Sequence, residues 1–529
     1  VFAPILIRFR DWLTDWNDPC GTLKKIFMKK FLYLLAGLML IACNNDDDGV
    51  PPPNGPNPDP DADVVVQNFM WQAMNLWYFW QQDVPDLADD RFTSMEEYTA
   101  FLESESDPAA FFETYLRFAE DRFSFYNEDY TELTQGLAGI SRSNGMEFGL
   151  IQFSGSNNIF GYVRYILPDS DASEKDISRG ELFTGVDGVT LTVDNYQDLL
   201  FGENNTYTLN MADISGTEIT PNGKDVTLTK EEGFQEDPIF LTKVFDNIGG
   251  RTVGYLMYNG FINEFDQQLN DVFAIFQADG VNELVLDLRY NSGGSVNTSR
   301  LLSSMIYGTK TNEVYIEQQW NDKLQEVFTD GDPNALKDFF AGTVTGGVPL
   351  NTLNLTKVYV LTTRSTASAS ELVINGLDPY VDVIKIGTTT RGKNEFSLTM
   401  VDDPDRDGAP FIYTPSRENE INPDNSWAIQ PLVGRNKNSV GFFDYTEGFA
   451  PDIELQEDLE NLGVLGDPNE PLLARALQDI SGASAKRFYD VRMPAEAFTH
   501  SKMFRPMQDN MVLDKDIQLP ESIQIPNWD

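Results

Sequence analysis

The chain has 529 residues, of which 41% are hydrophobic and 12% aromatic, so it is long enough for about three domains and is no single small binding module. Its 38 Lys and Arg against 83 Asp and Glu give a net charge of −45, which argues against a nucleic acid partner. One histidine, His500, and two cysteines, Cys20 and Cys43, exclude a disulfide framework and a zinc or copper site built from these ligands. We expect His500 to be a surface residue rather than a catalytic base, and we expect neither a metal nor an organic cofactor.

The first predicted element in chain order is an export signal. A basic stretch is followed by the apolar run Phe31–Ile41, which has the length of a signal-peptide core and is too short to span a bilayer. The run ends in Leu40-Ile41-Ala42-Cys43, which resembles the lipobox of bacterial lipoproteins, and the acidic, proline-rich linker 43–63 cannot pack a core. We predict an upstream segment and signal peptide over residues 1–42 and lipidation of Cys43. The acidic run resembles that of Bacteroidetes surface lipoproteins, which implies an outer-membrane anchor in the cell envelope, with the protein periplasmic or surface-exposed.

The rest of the chain divides into regions of different hydrophobic periodicity. Residues 64–144 show helical spacing, residues 145–235 show short β-prone runs between turns, residues 236–485 alternate strands with helices, and residues 486–529 form a C-terminal tail. The alternation favours a largely parallel sheet, so the fold class is a multidomain α/β protein with a helical N-terminal domain and a small β domain. The predicted helices are a stripe from Val66 to Trp80, Met95–Leu102, Pro108–Phe118, Asn263–Gln277, Asn297–Tyr307, Ser370–Leu377, and Asn469–Asp479 with Asn469 as its N-cap; the predicted strands are Glu147–Phe153, Ile159–Ile166, Tyr207–Met211, Asp225–Thr229, Thr252–Met257, Glu283–Leu288, Lys357–Thr362 and Val381–Ile386.

Three loops that follow strands of the α/β core carry the candidate chemistry. Gly293 and Gly294 allow backbone amides to point at a developing negative oxygen, and Ser368, between two alanines at a helix start, presents an unshielded hydroxyl. Lys393 follows the strand Val381–Ile386, and burial would lower its pKa until it accepts the Ser368 proton. Because ligand sites gather where parallel strands end, we expect these groups to face one crevice.

The order and spacing of these motifs resemble the C-terminal processing peptidases, also called tail-specific proteases. The resemblance lies in Ser368-Ala369-Ser370-Glu371, in the Gly392-Lys393 pair, with Lys393 twenty-five residues after Ser368, and in Gly448-Phe449-Ala450-Pro451-Asp452. It implies a crotonase- or ClpP-like α/β core and a serine endopeptidase, a hydrolase with Ser368 as nucleophile and Lys393 as general base. The amides of Gly294 and Ala369 would bind the oxyanion. Protein or peptide substrates would be recognised through exposed C-terminal tails.

Two earlier regions carry the same resemblance. Asn75-Leu76-Trp77-Tyr78 and Asp121-Arg122-Phe123-Ser124-Phe125 look like the leading domain of the Bacteroidetes branch of this family. The β region corresponds to a PDZ domain, and Phe148, Gly149 and Leu150 stand where such domains keep a loop whose amides bind a peptide carboxylate. PDZ domains bind peptides by strand addition, so this region would bind the substrate tail.

Some departures keep alternatives open. Relatives place a glutamine four residues after the lysine to orient it, whereas this chain has Ser397, which can form a hydrogen bond but reaches less far. The missing glutamine leaves a catalytically inactive peptide-binding surface lipoprotein as one alternative function, and the aromatic and acidic composition leaves a glycan-binding lipoprotein as another. The acidic run Asp403–Gly408 is predicted to be a hairpin tip rather than a calcium loop, because Thr414 stands where a bidentate Glu is required. The sequence predicts neither the physiological substrate nor the oligomeric state.

Overall fold

The computed structural model describes residues 64–216, 218–329, 332, 334–483, 495–515 and 517–519. The predicted signal peptide, Cys43 and the linker 43–63 lie outside these residues, as does part of the predicted tail. Within the described ranges, no helix combines the length and the apolar character that a membrane span requires.

The helices confirm most of the predicted helical segments. Met95–Leu102 has the predicted bounds, and the Ser94 hydroxyl caps it by accepting the Glu97 N–H. In chain order, the α-helices of the described residues are α1 (Val65–Trp77), α2 (Met95–Leu102), α3 (Pro108–Phe111, followed by a π-helical turn Phe112–Leu116), α4 (Tyr130–Leu137), α5 (Asp266–Ala278), α6 (Val296–Tyr307), α7 (Asp322–Thr329), α8 (Ala369–Leu377) and α9 (Pro471–Ser481).

The strands form several sheets that draw on distant parts of the sequence. In chain order they are β1 (Phe125–Asn127), β2 (Ile140–Ser143), β3 (Met146–Phe153), β4 (Ile159–Ile166), β5 (Leu182–Val186), β6 (Val189–Thr190), β7 (Thr206–Ser215), β8 (Glu218–Thr229), β9 (Glu231–Gln235), β10 (Ile239–Ile248), β11 (Arg251–Tyr258), β12 (Glu283–Asp287), β13 (Gly294–Ser295), β14 (Val314–Trp320), β15 (Lys337–Phe339), β16 (Lys357–Thr362), β17 (Asp382–Gly387), β18 (Glu395–Ser397), β19 (Met400–Val401), β20 (Ala428–Gln430), β21 (Leu432–Asn438), β22 (Ile453–Glu454), β23 (Ala495–His500) and β24 (Met511–Val512).

A six-stranded sheet of order β10-β11-β12-β16-β17-β22 forms the centre of the α/β core. Every neighbouring pair from β11 to β22 is parallel, and only β10 is antiparallel to its neighbour. Helices α5, α6 and α8 lie in the connections between successive parallel strands, as the alternating pattern predicted. The protein thus has a mixed α/β fold.

A second six-stranded sheet has the order β13-β24-β18-β21-β14-β15. Its strand β24 comes from the C-terminal part of the chain and lies parallel to both β13 and β18. This sheet was not predicted, because four of its six strands are two or three residues long and its strands are far apart in sequence.

The β-rich region forms a seven-stranded sheet in which β23, β3, β4, β5, β7 and β8 follow one another and β6 pairs with β5. Its pairs are antiparallel, and its buried face packs a separate hydrophobic cluster that includes Phe148, Phe183 and Leu209. The edge strand β23 comes from the C-terminal part of the chain, so this part contributes to two sheets.

The N-terminal helices pack on the core. Trp71 and Trp77 of α1 are fully buried in the same hydrophobic cluster as residues of the parallel sheet, which confirms that the aromatic stripe is core packing. The Tyr78 hydroxyl donates to the Asp121 carboxylate at 2.6 Å. Asp121 also accepts the backbone N–H groups of Phe123 and Ser124 at 2.9 Å, so the two N-terminal motifs form one hydrogen-bonded unit.

Two local predictions are wrong. The N-cap of α9 is Glu470, whose carboxylate accepts the Leu473 N–H at 2.8 Å, whereas Asn469 donates its own N–H to Asp467. His500 is not a surface residue, because it lies in strand β23 and is 9% exposed. Burial, together with the surrounding cations, holds the pKa of His500 well below its usual value, so its imidazole is neutral at pH 7.

Candidate active site

Three neighbouring parallel strands end at the candidate active site. Strands β12, β16 and β17 lie side by side in register, so their carboxyl ends meet at one edge of the sheet. The loops that follow them carry Gly293 and Gly294, Ser368, and Lys393, respectively. The predicted shared crevice is thus formed by adjacent strand ends.

Ser368 is fully buried immediately before helix α8 and has a φ of +62°, a value uncommon for a residue with a side chain. Its Oγ has no hydrogen-bond partner among the described residues. A buried, unpartnered hydroxyl in a strained turn is costly for folding, so its presence at a strand-to-helix turn indicates a functional constraint.

The Glu371 side chain joins the serine turn to the lysine turn. Its Oε2 accepts the backbone N–H groups of both Ser368 and Lys393 at 2.9 Å, so the two candidate residues are held through a single oxygen. Its Oε1 accepts the Gly392 N–H at 2.7 Å and the Thr390 hydroxyl at 2.5 Å. Burial raises the pKa of Glu371 to about 7, although the four donors favour the charged carboxylate.

Sequence reasoning gave Glu371 no role. The available signal was its position three residues after Ser368 at a helix start, which is the spacing of a capping box. That spacing indicates a local cap, but it does not reveal that the same carboxylate also binds a turn more than twenty residues further along the chain.

Lys393 lies in a buried environment and is 1% exposed. Burial lowers the pKa of its ammonium to about 8, while the nearby carboxylates of Glu395 and Asp509 oppose this shift. The Nζ lies 5.0 Å from the centre of the Phe123 ring, and Arg122 donates to the Gly392 carbonyl at 2.7 Å. The N-terminal motif therefore helps to enclose and position the lysine.

The Lys393 Nζ donates a hydrogen bond to the backbone carbonyl of Asp509. Ser397, considered as an alternative orienting residue, does not serve this role here: its Oγ donates to Asn510 Oδ1 at 2.6 Å and accepts from Gln430 Nε2 at 2.9 Å. The orientation of the lysine, which the sequence left open, is therefore set by a backbone carbonyl and not by Ser397.

Gly293 lies against the serine, whereas Gly294 lies against the backbone of Phe261. A side chain at Gly293 would overlap the Asn510 carbonyl and come within 3.0 Å of Ser368 Oγ, so only glycine fits this close approach. Gly293 and Gly294 have φ values of +120° and +127°. The Gly293 N–H is taken by Asn291 Oδ1 at 2.9 Å, whereas the Gly294 N–H donates to the Asn510 carbonyl at 2.7 Å.

The remaining predicted site residues are Ala369, at the start of α8, and the segment Phe148 to Leu150, in β3. Ala369 is the first residue of α8, so its N–H has no acceptor within the helix. Phe148, Gly149 and Leu150 are not in a loop, as predicted, but inside strand β3. They pair with β4 on one side and with residues 499–501 on the other, so this segment is a paired strand and not a loop with free amides.

A buried ion cluster lies under the first strand end and was also missed by sequence reasoning. Arg289 is fully buried and donates to Asp287 at 2.8 Å and to Glu470 at 2.7 Å. Because Asp287 ends β12 and Glu470 caps α9, this cluster fixes the backbone that leads to the two glycines.

The acidic run Asp403–Gly408 connects two paired segments, as expected for a hairpin tip. Asp403 is buried and accepts two hydrogen bonds from Arg417, at 2.7 and 2.8 Å. In the part of the chain that the structure describes, no group of three or more His, Cys, Asp or Glu side chains has the geometry to hold a metal ion.

Comparison with known proteins relates this site to one group of peptidases. The family model for peptidase family S41 matches residues 252–414, and the model for the peptidase S41 N-terminal domain matches residues 65–125. The first match spans Ser368 and Lys393, and the second spans the motif around Phe123.

Individual relatives are more distant. A CtpA-like serine protease of Staphylococcus aureus strain N315 is 25% identical over 208 residues, which cover 38% of this chain and 37% of that protein. A carboxyl-terminal-processing protease of Picosynechococcus is 28% identical over 160 residues, 30% of this chain and 34% of that protein. The matches thus span about a third of the length of these curated relatives.

Among solved structures, a candidate S41 protease from Bacteroides fragilis NCTC 9343 superposes with a TM-score of 0.59 and 27% identity. The superposition covers 78% of this chain and 97% of that chain. The chain is therefore similar to peptidase family S41 over residues 252–414 and to the S41 N-terminal domain over residues 65–125.

Proposed function

We propose that the protein is a serine endopeptidase in which Ser368 and Lys393 form the catalytic dyad. The observation that carries this proposal is that one oxygen of the Glu371 carboxylate accepts the backbone N–H groups of both residues. Beside them, the backbone N–H of Gly294 already binds a carbonyl oxygen. A binding protein without chemistry has no need for a buried serine hydroxyl and a buried lysine in this arrangement.

In the proposed reaction, the neutral Lys393 amine accepts the Ser368 proton while Oγ attacks the scissile carbonyl carbon. The oxyanion of the tetrahedral intermediate accepts the Gly294 N–H, with the Ala369 N–H as second donor. The lysine ammonium then returns the proton to the leaving amine, and water repeats the sequence to release the acyl group as a carboxylate. No metal or organic cofactor takes part in these steps.

We propose further that substrates are recognised through their C-terminal tails. One support is the name of the Picosynechococcus relative, a carboxyl-terminal-processing protease. A second is that the seven-stranded sheet, proposed to be a PDZ domain, already pairs with an added strand along β3. When a peptide adds as a strand, its backbone hydrogen bonds provide affinity, and pockets for its alternate side chains provide selectivity.

The proposed location is the cell envelope, with Cys43 lipidated and anchored in the outer membrane. Labelling cells with a fatty-acid probe tests this: wild-type protein should carry the label, whereas Cys43→Ser should not. Equal labelling of the two proteins would contradict lipidation at this residue.

The catalytic proposal is tested with an acylating serine probe and a peptide that ends in a free apolar C terminus. Mass spectrometry should place the probe on Ser368, and Ser368→Ala should abolish both labelling and cleavage. Ser303→Ala is the matched control, since it removes another buried serine hydroxyl, on α6 and outside the site, and should leave both intact.

A catalytically inactive peptide-binding lipoprotein is the alternative that the sequence left open, and the similarity to serine peptidases does not favour it. It predicts binding of the peptide without labelling or cleavage, even when the site is made accessible. Cleavage that disappears in Ser368→Ala would eliminate it.

A further inference from the structure

The C-terminal part of the chain passes through both peptide-binding regions of the proposed peptidase. We define the tail segment as residues 495–515. Its first strand, β23, extends the seven-stranded sheet, and its second, β24, lies between β13 and β18 in the catalytic region. The tail segment thus runs from the proposed substrate-binding sheet directly to the candidate active site.

The first contact is strand addition. Strand β23 pairs antiparallel with β3 from Ala495↔Phe153 to His500↔Gly149. Ser501 extends the pairing, because its N–H donates to the Phe148 carbonyl at 2.9 Å and its Oγ accepts the Phe148 N–H at 3.0 Å. The edge of β3 at which a substrate strand would add is therefore filled.

The second contact fills the catalytic slot, which we define as the gap between β13 and β18. Gly294 and Ser295 pair in parallel with Met511 and Val512, and Val512 also pairs with Ser397 of β18. Met511 is fully buried. The tail segment completes this sheet, so an extended substrate has no free edge there.

The tail segment also takes the two hydrogen-bonding groups that the proposed reaction needs. The Asn510 carbonyl accepts a hydrogen bond at 2.7 Å from the Gly294 N–H, which is the proposed oxyanion donor. The Asp509 carbonyl accepts a hydrogen bond from Lys393 Nζ, so the lysine is directed at the tail backbone. The Gly294 N–H must be released before it can bind the oxyanion, and Lys393 must be released before it can accept the Ser368 proton.

Ion pairs hold the tail segment to the body of the protein. Arg505 bonds to the carboxylates of Glu147 and Glu236, both nearly buried, and Lys502 bonds to Glu236 at 2.7 Å. Arg391, next to the lysine turn, binds the Asp509 carboxylate at 2.8 Å. The basic residues of the tail segment thus complement buried acidic residues of a strongly acidic chain.

Between its two strands, the tail segment forms turns over residues 501–509 and is not extended as a bound substrate strand would be. Asp509 has a φ of +48°, so the chain turns at the residue whose carbonyl binds Lys393. Because Lys393 Nζ donates to that carbonyl and Ser368 Oγ has no partner among the described residues, the dyad is not arranged for attack while the tail segment is bound.

We infer that the tail segment is an internal peptide ligand that fills the β3 edge and the catalytic slot together and is retained uncleaved. A substrate enters only when the tail segment leaves. This inference rests on the proposed peptidase function and adds to it an internal competitor of the substrate.

A reversible lock tests the inference in the full chain. Ala497 and Ile151 are register partners across β23 and β3 and lie away from Ser368, so Ala497→Cys with Ile151→Cys allows a disulfide between them. The oxidised variant should cleave a peptide with a free apolar C terminus roughly tenfold or more slowly than the same variant after reduction. The single variant Ala497→Cys, treated alike, should show no such difference.

The outcomes separate the two proposals. Equal cleavage and equal probe labelling of Ser368 before and after reduction would overturn the internal ligand and leave the peptidase standing. Absence of labelling and cleavage in both states, and in the wild-type protein, would overturn the peptidase itself. Intact mass should stay unchanged on incubation, and a cut within residues 509–511 would contradict retention of the tail segment.

A peptide added in trans gives an independent test. A synthetic peptide of residues 495–515 should raise KM for the substrate without lowering kcat in the reduced double-cysteine variant, because both would compete for one slot. A scrambled peptide of the same composition is the control, and equal inhibition by the two peptides would contradict specific occupancy.

Discussion

The proposed reacting groups receive two sets of contacts that differ in origin. The body of the protein holds their backbones: Glu371 binds the N–H groups of Ser368 and Lys393. The tail segment holds their functional atoms, because Asp509 and Asn510 accept hydrogen bonds from the lysine Nζ and the Gly294 amide. The comparison indicates that the body sets the geometry of the site, whereas the tail segment sets its availability.

The strongest test of the body's role is Lys393→Arg. Arginine keeps the cation and its hydrogen bonds but does not lose its proton at neutral pH, so the proposed base is lost while the charge remains. We expect kcat/KM to fall by roughly 10⁴-fold. Lys385→Arg, on β17 and paired with Asp452, is the matched control and should retain wild-type activity. Substantial activity in Lys393→Arg would mean that another group accepts the proton.

Glu371→Gln tests the shared oxygen and should have the next largest effect. All four partners of this carboxylate are donors, and an amide turns an N–H₂ group toward two of them whichever way it is oriented. We expect kcat to fall by roughly 10²-fold with a small change in KM, because the dyad is misplaced rather than removed.

The control for Glu371→Gln is Glu313→Gln, which changes a carboxylate that accepts the Tyr307 hydroxyl outside the site. It should leave kcat unchanged. If Glu371→Gln lowered thermal stability but left kcat intact, the shared oxygen would be structural and not a positioning contact.

The pH dependence of kcat/KM reports the state of the lysine. Burial lowers the pKa of Lys393 to about 8, and the proposed base is the neutral amine, whose fraction rises with pH. The rate should therefore increase about tenfold per pH unit below pH 8 and level off above it. A profile that is flat between pH 6 and pH 8 would contradict a lysine base.

Much of the core was predictable because its pattern is local. Strand Lys357–Thr362 has the predicted bounds, and α8 begins one residue earlier than predicted. Each parallel strand is a short apolar run followed by a helical period, so its type can be inferred from contiguous residues. The loops bearing Ser368 and Lys393 were found for the same reason, since each follows such a strand.

The contacts that complete the site were not predictable, because they join distant residues. Strand β24 is two residues long and pairs with β13, more than two hundred residues earlier in the chain. No local period distinguishes Met511 and Val512 as a strand. The burial of His500 was not predictable for the same reason, because it depends on pairing with the distant Gly149.

The smallest predicted effect concerns the tail segment and has the opposite sign. Arg505→Ala removes the ion pairs to Glu147 and Glu236 and lies outside the reacting groups, so it weakens attachment of the tail segment without touching the dyad. If the occupied state predominates, apparent kcat/KM scales with the open fraction, and we expect it to rise by roughly three- to tenfold. Arg117→Ala, which breaks a pair with Glu113 in the N-terminal region, is the control and should change nothing. A fall in activity in Arg505→Ala at unchanged thermal stability would mean that the tail segment assists catalysis, and the division between body and tail segment would then be wrong.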